Sequence, residues 1–280
     1  MKNSLIIGID GQIGSALSKI IDDNILATTI FPEFVSNNCK LLDLSKDISV
    51  WEAPSNISTA YICAAICSIK DCAENSEKAF TVNVKNTIKL AKKLVNSGAF
   101  VVFPSTNMVF DGAKPNYKET DKVCPVTEYG LQKVETEIEL LKMGNCAIIR
   151  FSKIIGSNLP LIKKWIKDLK NNISIHPFSD MKMSPVSLNF AAKVMRKIGE
   201  SKSSGIWHVS NNEEITYEEA ARHIVKKLNL SENLIKPAKA KDKGITNIPD
   251  YSTLDTQKLN ASFDLISPDA FAIIDSQFNL

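Results

Sequence analysis

The 280-residue chain lacks any apolar run of about 18 residues, the length a membrane-spanning helix needs. We expect no signal peptide either, because the apolar stretch after Lys2 is short and ends in glycines without a small-residue cleavage site. The net charge is only +3, and no helix-turn-helix or basic-plus-aromatic pattern stands out. We therefore expect a cytoplasmic protein whose partners include neither membrane nor nucleic acid.

Metal-ligand and disulfide patterns are missing as well. Six cysteines are present, and Cys63, Cys67 and Cys72 lie close together, but their spacing matches no zinc ribbon. The three histidines lie far from them along the chain. We expect reduced, buried thiols and no metal.

Glycine is scarce, with 11 residues in 280, so the one cluster of glycines is informative. The apolar run Leu5–Ile7 opens into Gly8, Gly11 and Gly14, which predicts a strand, a tight turn and the start of a helix. Glycines at this spacing let the backbone approach a ligand closely while the helix N-terminus points free N–H groups at phosphate. This segment is the candidate dinucleotide site.

Apolar runs alternate with helical patterns through the first 150 residues, which predicts an α/β fold of Rossmann type, a doubly wound parallel sheet. The clearest helix carries apolar residues from Phe80 to Val95 and stops at Gly98. After Arg150 the units are shorter and richer in proline, with one helix from about Tyr217 to Leu228. We predict an NAD(P)-binding domain over 1–150 and a smaller, mainly substrate-binding lobe over 151–280, with segments returning to the first domain. The six predicted strands are Leu5–Ile9, Ile25–Ile30, Lys40–Leu44, Thr59–Ala65, Phe100–Phe103 and Cys146–Arg150.

In such a sheet ligands bind at the carboxyl ends of the strands. The residues there are Asp43 and Leu44 at the end of the third run, Ala64 and Ala65 at the end of the fourth, and Ser105, Thr106 and Asn107 after the fifth.

Tyr129 and Lys133 stand four residues apart in a helical segment that follows Pro125, so they share one helix face. A phenol with the ordinary pKa of about 10 is a poor acid–base catalyst at neutral pH, and a nearby ammonium lowers that pKa. The spacing alone is common. Its position, after a glycine turn and after hydroxyl residues at the end of the fifth strand, makes it a candidate catalytic pair.

Three further segments carry a family resemblance. Residues 104–112 read Pro-Ser-Thr-Asn-Met-Val-Phe-Asp-Gly and resemble the motif Ser-Thr-Asp-Tyr-Val-Phe-Asp-Gly. Residues 71–74, with Asn83, resemble Asp-Lys-Ala-Glu and its following Asn, and residues 254–259 resemble the element before the final helix. The chain thus resembles, over nearly its whole length, the extended short-chain dehydrogenase/reductase family, and within it the dTDP-4-dehydrorhamnose reductase-like sugar-nucleotide reductases.

The resemblance implies an NAD(P)-dependent oxidoreductase that reduces a nucleotide-linked 4-keto-6-deoxysugar in sugar-nucleotide or surface-polysaccharide biosynthesis. It is compatible with a homodimer. Tyr129 would donate a proton to the keto oxygen, Thr106 would hydrogen-bond that oxygen, and Lys133 would lower the tyrosine pKa and bind the nicotinamide ribose. The implied cofactor residues are Gly8, Gly11, Gln12, Ile13 and Gly14 at the pyrophosphate, Asp43 and Leu44 at the adenine, and Ala64 and Ala65 at the adjoining ribose, with Tyr129 and Lys133.

The chain departs from the family pattern near the substrate. Cys67-Ser68 replaces His-Thr, Asn107-Met108 replaces Asp-Tyr, and Phe151-Ser152-Lys153 replaces Thr-Ser-Trp. We expect Ser68, Asn107 and Lys153 at the substrate, and two alternatives stay open for Lys153: it meets an acidic sugar or it faces solvent.

The nicotinamide cofactor is NADP or NAD. The second run, Ala27 to Pro32, ends without the carboxylate that favours NAD and without an arginine that would bind a 2′-phosphate, so we lean slightly to NADP. Two alternative functions stay open, an NDP-sugar epimerase that uses the same three catalytic residues and a non-catalytic regulatory subunit of the same fold. A 4,6-dehydratase is disfavoured because Asn107-Met108 cannot supply its Asp-Glu pair.

Overall fold

Eleven strands and ten α-helices occur in residues 3–22, 24–246 and 248–280, the part of the chain that this computed structural model describes. The strands are β1 (Asn3–Ile7), β2 (Asn24–Thr29), β3 (Cys39–Leu41), β4 (Ile57–Ile62), β5 (Phe100–Thr106), β6 (Cys146–Phe151), β7 (Lys153–Ile155), β8 (Lys182–Met183), β9 (Pro185–Ser187), β10 (Gly205–Val209) and β11 (Ile215–Thr216). The helices are α1 (Gln12–Ser18), α2 (Ile69–Glu74), α3 (Ser76–Phe80), α4 (Thr87–Asn96), α5 (Glu128–Lys142), α6 (Pro160–Lys170), α7 (Leu188–Ser201), α8 (Tyr217–Lys227), α9 (Gln257–Phe263) and α10 (Ala270–Phe278). A π-helix, Thr81–Asn86, joins α3 to α4.

Seven strands form the central sheet in the order β10-β6-β5-β4-β1-β2-β3. The pairs β1–β2, β1–β4, β2–β3, β4–β5 and β5–β6 are parallel. Every residue of β5 and of β6 is buried, as expected of strands covered on both faces by helices. The predicted Rossmann-type α/β fold is confirmed.

The predicted strand bounds were less accurate than the fold. The first, second, third and fourth strands end one to three residues earlier than the apolar runs do. At the end of β4 the cause is local: the amides of Cys63 and Ala64 both donate to the Ile7 carbonyl, at 2.9 and 3.0 Å, so the chain leaves the strand there. The seventh strand, β10, lies in the C-terminal half and was not predicted.

The chain divides into two compact units. The first comprises Met1–Phe110, Glu119–Phe151 and Leu188–His208, and its core lies around β1, β4 and β5 with α4 packed against them. The second comprises Asp111–Lys118, Ser152–Ser187 and Val209–Leu280. Its core is formed by α6, α8 and α10 with the short pairs β7–β9, parallel, and β8–β11, antiparallel.

None of the helices in the described part of the chain is long and apolar enough to cross a membrane. Within the same residues no group of three or more His, Cys, Asp or Glu side chains is arranged to hold a metal ion.

Candidate active site

A glycine turn joins β1 to α1. Gly8 has a φ of +82°, a conformation that favours glycine, and its N–H donates to Thr28 Oγ1 at 3.1 Å. A Cβ on Gly14 would lie 2.2 Å from the Gly8 carbonyl oxygen, so the helix starts against the turn. Gly11 is the N-cap of α1 and provides no side-chain cap, which leaves the first-turn N–H groups of Gln12, Ile13 and Gly14 available to an anionic oxygen. These features fit a dinucleotide pyrophosphate.

The loop after β4 lies against this turn, because a Cβ on Gly8 would be 2.9 Å from the Cβ of Ala64. Ala64 and Ala65 are both half-buried. Asn83 of the π-helix holds the next residue from both sides: its Oδ1 accepts from the Ile66 N–H at 2.8 Å, and its Nδ2 donates to the Ile66 carbonyl at 2.9 Å. The two alanines are thus presented by a fixed loop beside the glycine turn.

The two residues predicted at the adenine differ in availability. Asp43 is half-buried and accepts from the Ser45 N–H at 2.8 Å. Burial works to raise the pKa of Asp43, but the Ser45 hydrogen bonds and the nearby Lys46 and Lys78 lower it overall. Leu44 is buried in the core, and its carbonyl accepts from Asn86 Nδ2 at 2.8 Å. Of the two, Asp43 is the one with a side chain that a ligand can reach.

A carboxylate does lie at the end of β2, although the second apolar run has none. Asp10, from the glycine turn, accepts through Oδ2 from the Ile30 N–H at 3.2 Å. The sequence of β2 gives no sign of this carboxylate, because the acidic side chain comes from the turn after the neighbouring strand β1. In this fold the end of β2 is where the adenosine ribose binds.

Tyr129 and Lys133 lie on the first two turns of α5, which Thr127 caps through its side chain. Both are buried, with 8% and 3% of their surfaces exposed. The Lys133 Nζ donates to the Pro104 carbonyl at 2.9 Å and lies 5.7 Å from the centre of the Tyr129 ring. Lys133 of the predicted pair therefore links helix α5 to the end of strand β5 by a hydrogen bond.

Thr106 is the last residue of β5 and is 8% exposed. Its Oγ1 accepts from the Met108 N–H at 3.2 Å, so it caps the short 3₁₀ turn Asn107–Val109. That turn lies against α5, because a Cβ on Gly130 would be 2.3 Å from the Met108 carbonyl oxygen, and Met108 packs on Tyr129. The structure thus brings the Thr106 turn, Tyr129 and Lys133 to one end of β5.

The pKa of Tyr129 is raised well above its ordinary value, by burial first and then by the Cys67 and Cys72 thiols. Cys67 also lies within hydrogen-bonding reach of the Tyr129 hydroxyl. The direction is opposite to the lowering expected from the sequence, because Lys133 directs its ammonium at Pro104 and the surroundings of the ring are thiols. Tyr129 is therefore a protonated phenol at neutral pH.

Lys133 is shifted toward its neutral form. Burial lowers the pKa of its ammonium, while Cys67, Glu137 and Cys63 oppose that shift. Desolvation by the surrounding protein atoms raises the pKa of the half-buried Cys63 thiol to about 12, so Cys63 is no thiolate nucleophile. All six cysteines are free, but only Cys72 and Cys146 are buried and Cys67 is exposed, so the prediction of buried thiols was only partly right.

The three residues expected at the substrate have different surroundings. Ser68 is exposed and caps α2, its Oγ accepting from the Asp71 N–H at 3.1 Å. Asn107 begins the 3₁₀ turn beside Thr106, whose hydroxyl is 3.4 Å from the Asn107 Oδ1. Lys153, on β7 of the second unit, is exposed, yet crowding by protein atoms lowers the pKa of its ammonium.

The second unit contains a cavity of 210 Å³ lined by Asp180, Lys182, Pro249, Asp250 and Tyr251. The Lys182 ammonium lies 5.2 Å from the centre of the Tyr251 ring. An aromatic face next to an ammonium can stack a base or a sugar and meet a phosphate. Sequence reasoning missed this cavity, since its residues come from segments about 70 positions apart and share no motif.

Comparison with known proteins shows a family match over almost the full chain: the model described as the RmlD substrate binding domain matches residues 1–272. A dTDP-4-dehydrorhamnose reductase from Aggregatibacter actinomycetemcomitans is 27% identical over 282 residues, covering 95% of this chain and 91% of that protein. Methionine adenosyltransferase 2 subunit beta from Xenopus laevis is 28% identical over 194 residues, covering 65% of this chain and 58% of that protein. Among solved structures, dTDP-4-dehydrorhamnose reductase from Bacillus anthracis str. Ames in complex with NADP superimposes with a TM-score of 0.86 at 22% identity, covering 100% of this chain and 99% of that one.

Proposed function

We propose a function from one premise: the chain belongs to the RmlD substrate binding domain family. It is an NAD(P)H-dependent oxidoreductase that reduces the keto group of a nucleotide-linked 4-keto-6-deoxysugar. The observation that carries this proposal is the buried Tyr129 phenol, held protonated beside Lys133 at the end of β5. The family match and the 27% identity to a dTDP-4-dehydrorhamnose reductase over 95% of the chain support it.

The reduction needs a hydride at the carbonyl carbon and a proton at the carbonyl oxygen, and the reduced nicotinamide supplies the hydride when it is bound. Tyr129 donates the proton from its hydroxyl, and the raised pKa keeps that proton in place until the oxygen becomes basic. Thr106 donates a hydrogen bond to the same oxygen. The phenolate that remains then takes a proton from solvent, while the Lys133 ammonium stays on the Pro104 carbonyl, 5.7 Å from the ring centre.

The cofactor lies along the first unit in this proposal. Gly8, Gly11, Gln12, Ile13 and Gly14 hold the pyrophosphate, Asp43 and Leu44 the adenine, and Ala64 and Ala65 the adjoining ribose, with Lys133 on the nicotinamide ribose. NADP is favoured over NAD by the likeness to the NADP-bound reductase and by the lack of an acidic residue in β2 itself. The Asp10 carboxylate at the end of β2 repels the 2′-phosphate of NADP and so reduces the preference for NADP over NAD.

The second unit carries the substrate-binding surface in this proposal. The cavity beside Lys182 and Tyr251 supports it, since the aromatic ring can stack a base or a sugar and the ammonium can meet a phosphate, away from the carboxylates of Asp180 and Asp250 that also line the cavity. Ser68, Asn107 and Lys153 are the proposed sugar contacts.

A homodimer and a cytoplasmic location belong to the same proposal. Leu131, Ile138 and Leu141 are 51%, 49% and 38% exposed on one side of α5, an apolar stripe that suits a second copy of the chain. Sedimentation equilibrium of the protein and of Ile138→Glu tests the dimer, and cell fractionation tests the location.

The test of the function is NADPH oxidation by the purified protein over a panel of nucleotide 4-keto-6-deoxysugars, followed by absorbance. We expect Tyr129→Phe to bind NADPH like the wild type but to lose turnover by roughly 10²- to 10⁴-fold, the usual worth of a positioned acid. A Tyr129→Phe variant that turns over at the wild-type rate would remove the proposed acid.

One observation favours a second candidate, a non-catalytic subunit: the likeness to a protein named methionine adenosyltransferase 2 subunit beta. That alignment covers 58% of the relative, and Thr106, Tyr129 and Lys133 are all present here. A protein that binds NADPH but oxidises none of it with any sugar in the panel would support the subunit.

A further inference from the structure

A buried carboxylate lies one helical turn beyond Lys133 on α5. Glu137 is 2% exposed and shares a helix face with Lys133 and Tyr129 by their spacing of four residues. It forms a two-pronged ion pair with Arg150 of β6, whose Nε and Nη2 donate to the Glu137 carboxylate at distances of 3.1 and 2.7 Å. Its Oε1 also accepts a hydrogen bond from the Ser105 hydroxyl.

Ser105 and Arg150 reach the same carboxylate because they are direct partners in the register of β5 and β6. Side chains at partner positions of parallel strands emerge on the same face of the sheet. Arg150 is held on its other side as well, with Nη1 3.4 Å from the His208 Nε2 and its guanidinium 5.1 Å from the Phe110 ring. We call Ser105, Glu137 and Arg150 the Glu137 clamp.

The clamp and Lys133 together join β5 to α5 at two points. Lys133 bonds the Pro104 carbonyl at 2.9 Å, and Glu137, about 6 Å further along the helix, bonds the hydroxyl of the next strand residue. One contact would let the helix slide or pivot on the strand, whereas two contacts a turn apart fix both movements. Thr106 follows Ser105 directly on the strand, and Tyr129 precedes Lys133 by one turn on the helix.

Packing alone does not call for these groups, since a buried ion pair can often be replaced by apolar side chains of similar volume without loss of stability. An apolar replacement cannot accept the hydrogen bond from the Ser105 hydroxyl, so it does not fix the position of α5 along β5. We propose that Ser105, Glu137 and Arg150 are positioning residues, which hold the end of β5 against α5 and thereby keep the Thr106 hydroxyl and the Tyr129 phenol at their working separation. The kinetic part of this inference rests on the proposed reductase function.

The test uses the double variant Glu137→Met/Arg150→Met, which removes both charges and leaves neither one unpaired. We expect its thermal midpoint and its NADPH Kd to stay close to the wild type, while kcat falls roughly 10- to 100-fold, because a misplacement of about 1 Å can cost that much. Glu137→Gln/Arg150→Met, which keeps an amide oxygen as acceptor for Ser105 and leaves no charge unpaired, is expected to keep most of the wild-type kcat. A folded double variant with wild-type kcat overturns the inference and leaves the reductase function standing.

Ser105→Ala is the second variant, for the case that the double variant does not fold. It removes only the hydroxyl, and we expect kcat to fall about three- to tenfold with an unchanged KM. The matched control is Thr59→Val, which removes the buried hydroxyl that donates to the Gly199 carbonyl at 3.2 Å in the same unit. Equal kcat values in Ser105→Ala and Thr59→Val would mean that the clamp is merely structural.

Crystal structures of the variants and the wild type supply a readout that needs no turnover. We expect the double variant, or Ser105→Ala in its place, to lengthen the bond between the Lys133 Nζ and the Pro104 carbonyl beyond 2.9 Å and to move Thr106 away from Tyr129. If the wild type is inactive on every substrate, the reductase function fails and this measurement alone decides the inference. An unchanged separation would then refute it.

Discussion

Two alanine variants in the turn after β1, Gly11→Ala and Gly14→Ala, distinguish an effect on NADPH binding from an effect on folding. At Gly14 an added Cβ would lie 2.2 Å from the Gly8 carbonyl oxygen and 3.0 Å from the Ile9 Cα, both backbone atoms that cannot move aside. At Gly11 the same Cβ would meet only the Gly8 carbonyl oxygen, at an ordinary 3.5 Å, and the backbone there has φ −71° and ψ 159°, which alanine adopts freely. Of these two glycines, Gly11 is the one with room for a methyl group.

These contacts predict different changes in the free energy of unfolding for Gly14→Ala and Gly11→Ala. Overpacking at Gly14→Ala costs about 1–3 kcal/mol, which lowers the thermal midpoint by roughly 2–12 °C for a chain of this size. At Gly11→Ala, a gain of about 0.4–1 kcal/mol from the less flexible unfolded chain offsets a similar loss, because alanine is a poorer N-cap than glycine. The midpoint of Gly11→Ala should stay within about 2 °C of the wild type.

The assay is NADPH affinity by fluorescence titration, paired with a thermal melt of each variant. If the turn holds the pyrophosphate, the methyl group at Gly11 stands where the ligand approaches the backbone, and Kd rises at least about tenfold, or 1.4 kcal/mol. A Gly11→Ala protein that melts like the wild type and binds NADPH as tightly would show that the pyrophosphate is not at this turn.

The remaining predictions concern the acid, the cofactor and the substrate. Cys67→Ala removes a thiol that helps to raise the Tyr129 pKa, so that pKa should fall. Because only the protonated phenol is active, kcat should then begin to decrease at a lower alkaline pH than in the wild type. The control Cys39→Ala, away from the ring, should leave the pH profile unchanged. Asp10→Asn removes the carboxylate at the end of β2 and should strengthen binding of NADPH relative to NADH, and equal ratios in the two proteins would speak against that role. Tyr251→Ala should raise KM for the sugar nucleotide several-fold with kcat nearly unchanged, and an unchanged KM would take the cavity out of the substrate site.

The fold was predictable because each of its signals is local. Buried parallel strands read as continuous apolar runs, and a three-glycine turn marks the first crossover, so β1 to β6 could be found from the chain alone. The seventh strand, Gly205–Val209, was not predicted. Its place beside β6 depends on the return of α7 to the first unit, which no local pattern states.

The candidate site could be predicted where a motif has fixed spacing, and it could not be predicted where segments distant in sequence meet. Tyr129 and Lys133 could be paired through the helix period, and Thr106 through its place at a strand end. Asp10 at β2 and Cys67 at Tyr129 could not, because each contact joins segments far apart in sequence. The sequence does carry a signal for Glu137, because it stands four residues after Lys133 and so shares a buried helix face with it.

The environment of Tyr129 bears on which of the sequence's alternatives this site suits. A ketone reduction needs a protonated phenol, whereas an epimerase that begins by oxidising its sugar needs the phenolate as base. Burial and the Cys67 and Cys72 thiols raise the pKa of Tyr129 and so favour the acid form, by about 1.4 kcal/mol for each unit of pKa. The Lys133 ammonium donates to the Pro104 carbonyl at 2.9 Å rather than to the Tyr129 oxygen, so it does not stabilise a phenolate before the reaction. Tyr129 therefore holds the proton that a ketone reduction uses, and the same rise in pKa makes the phenol a weaker donor of that proton.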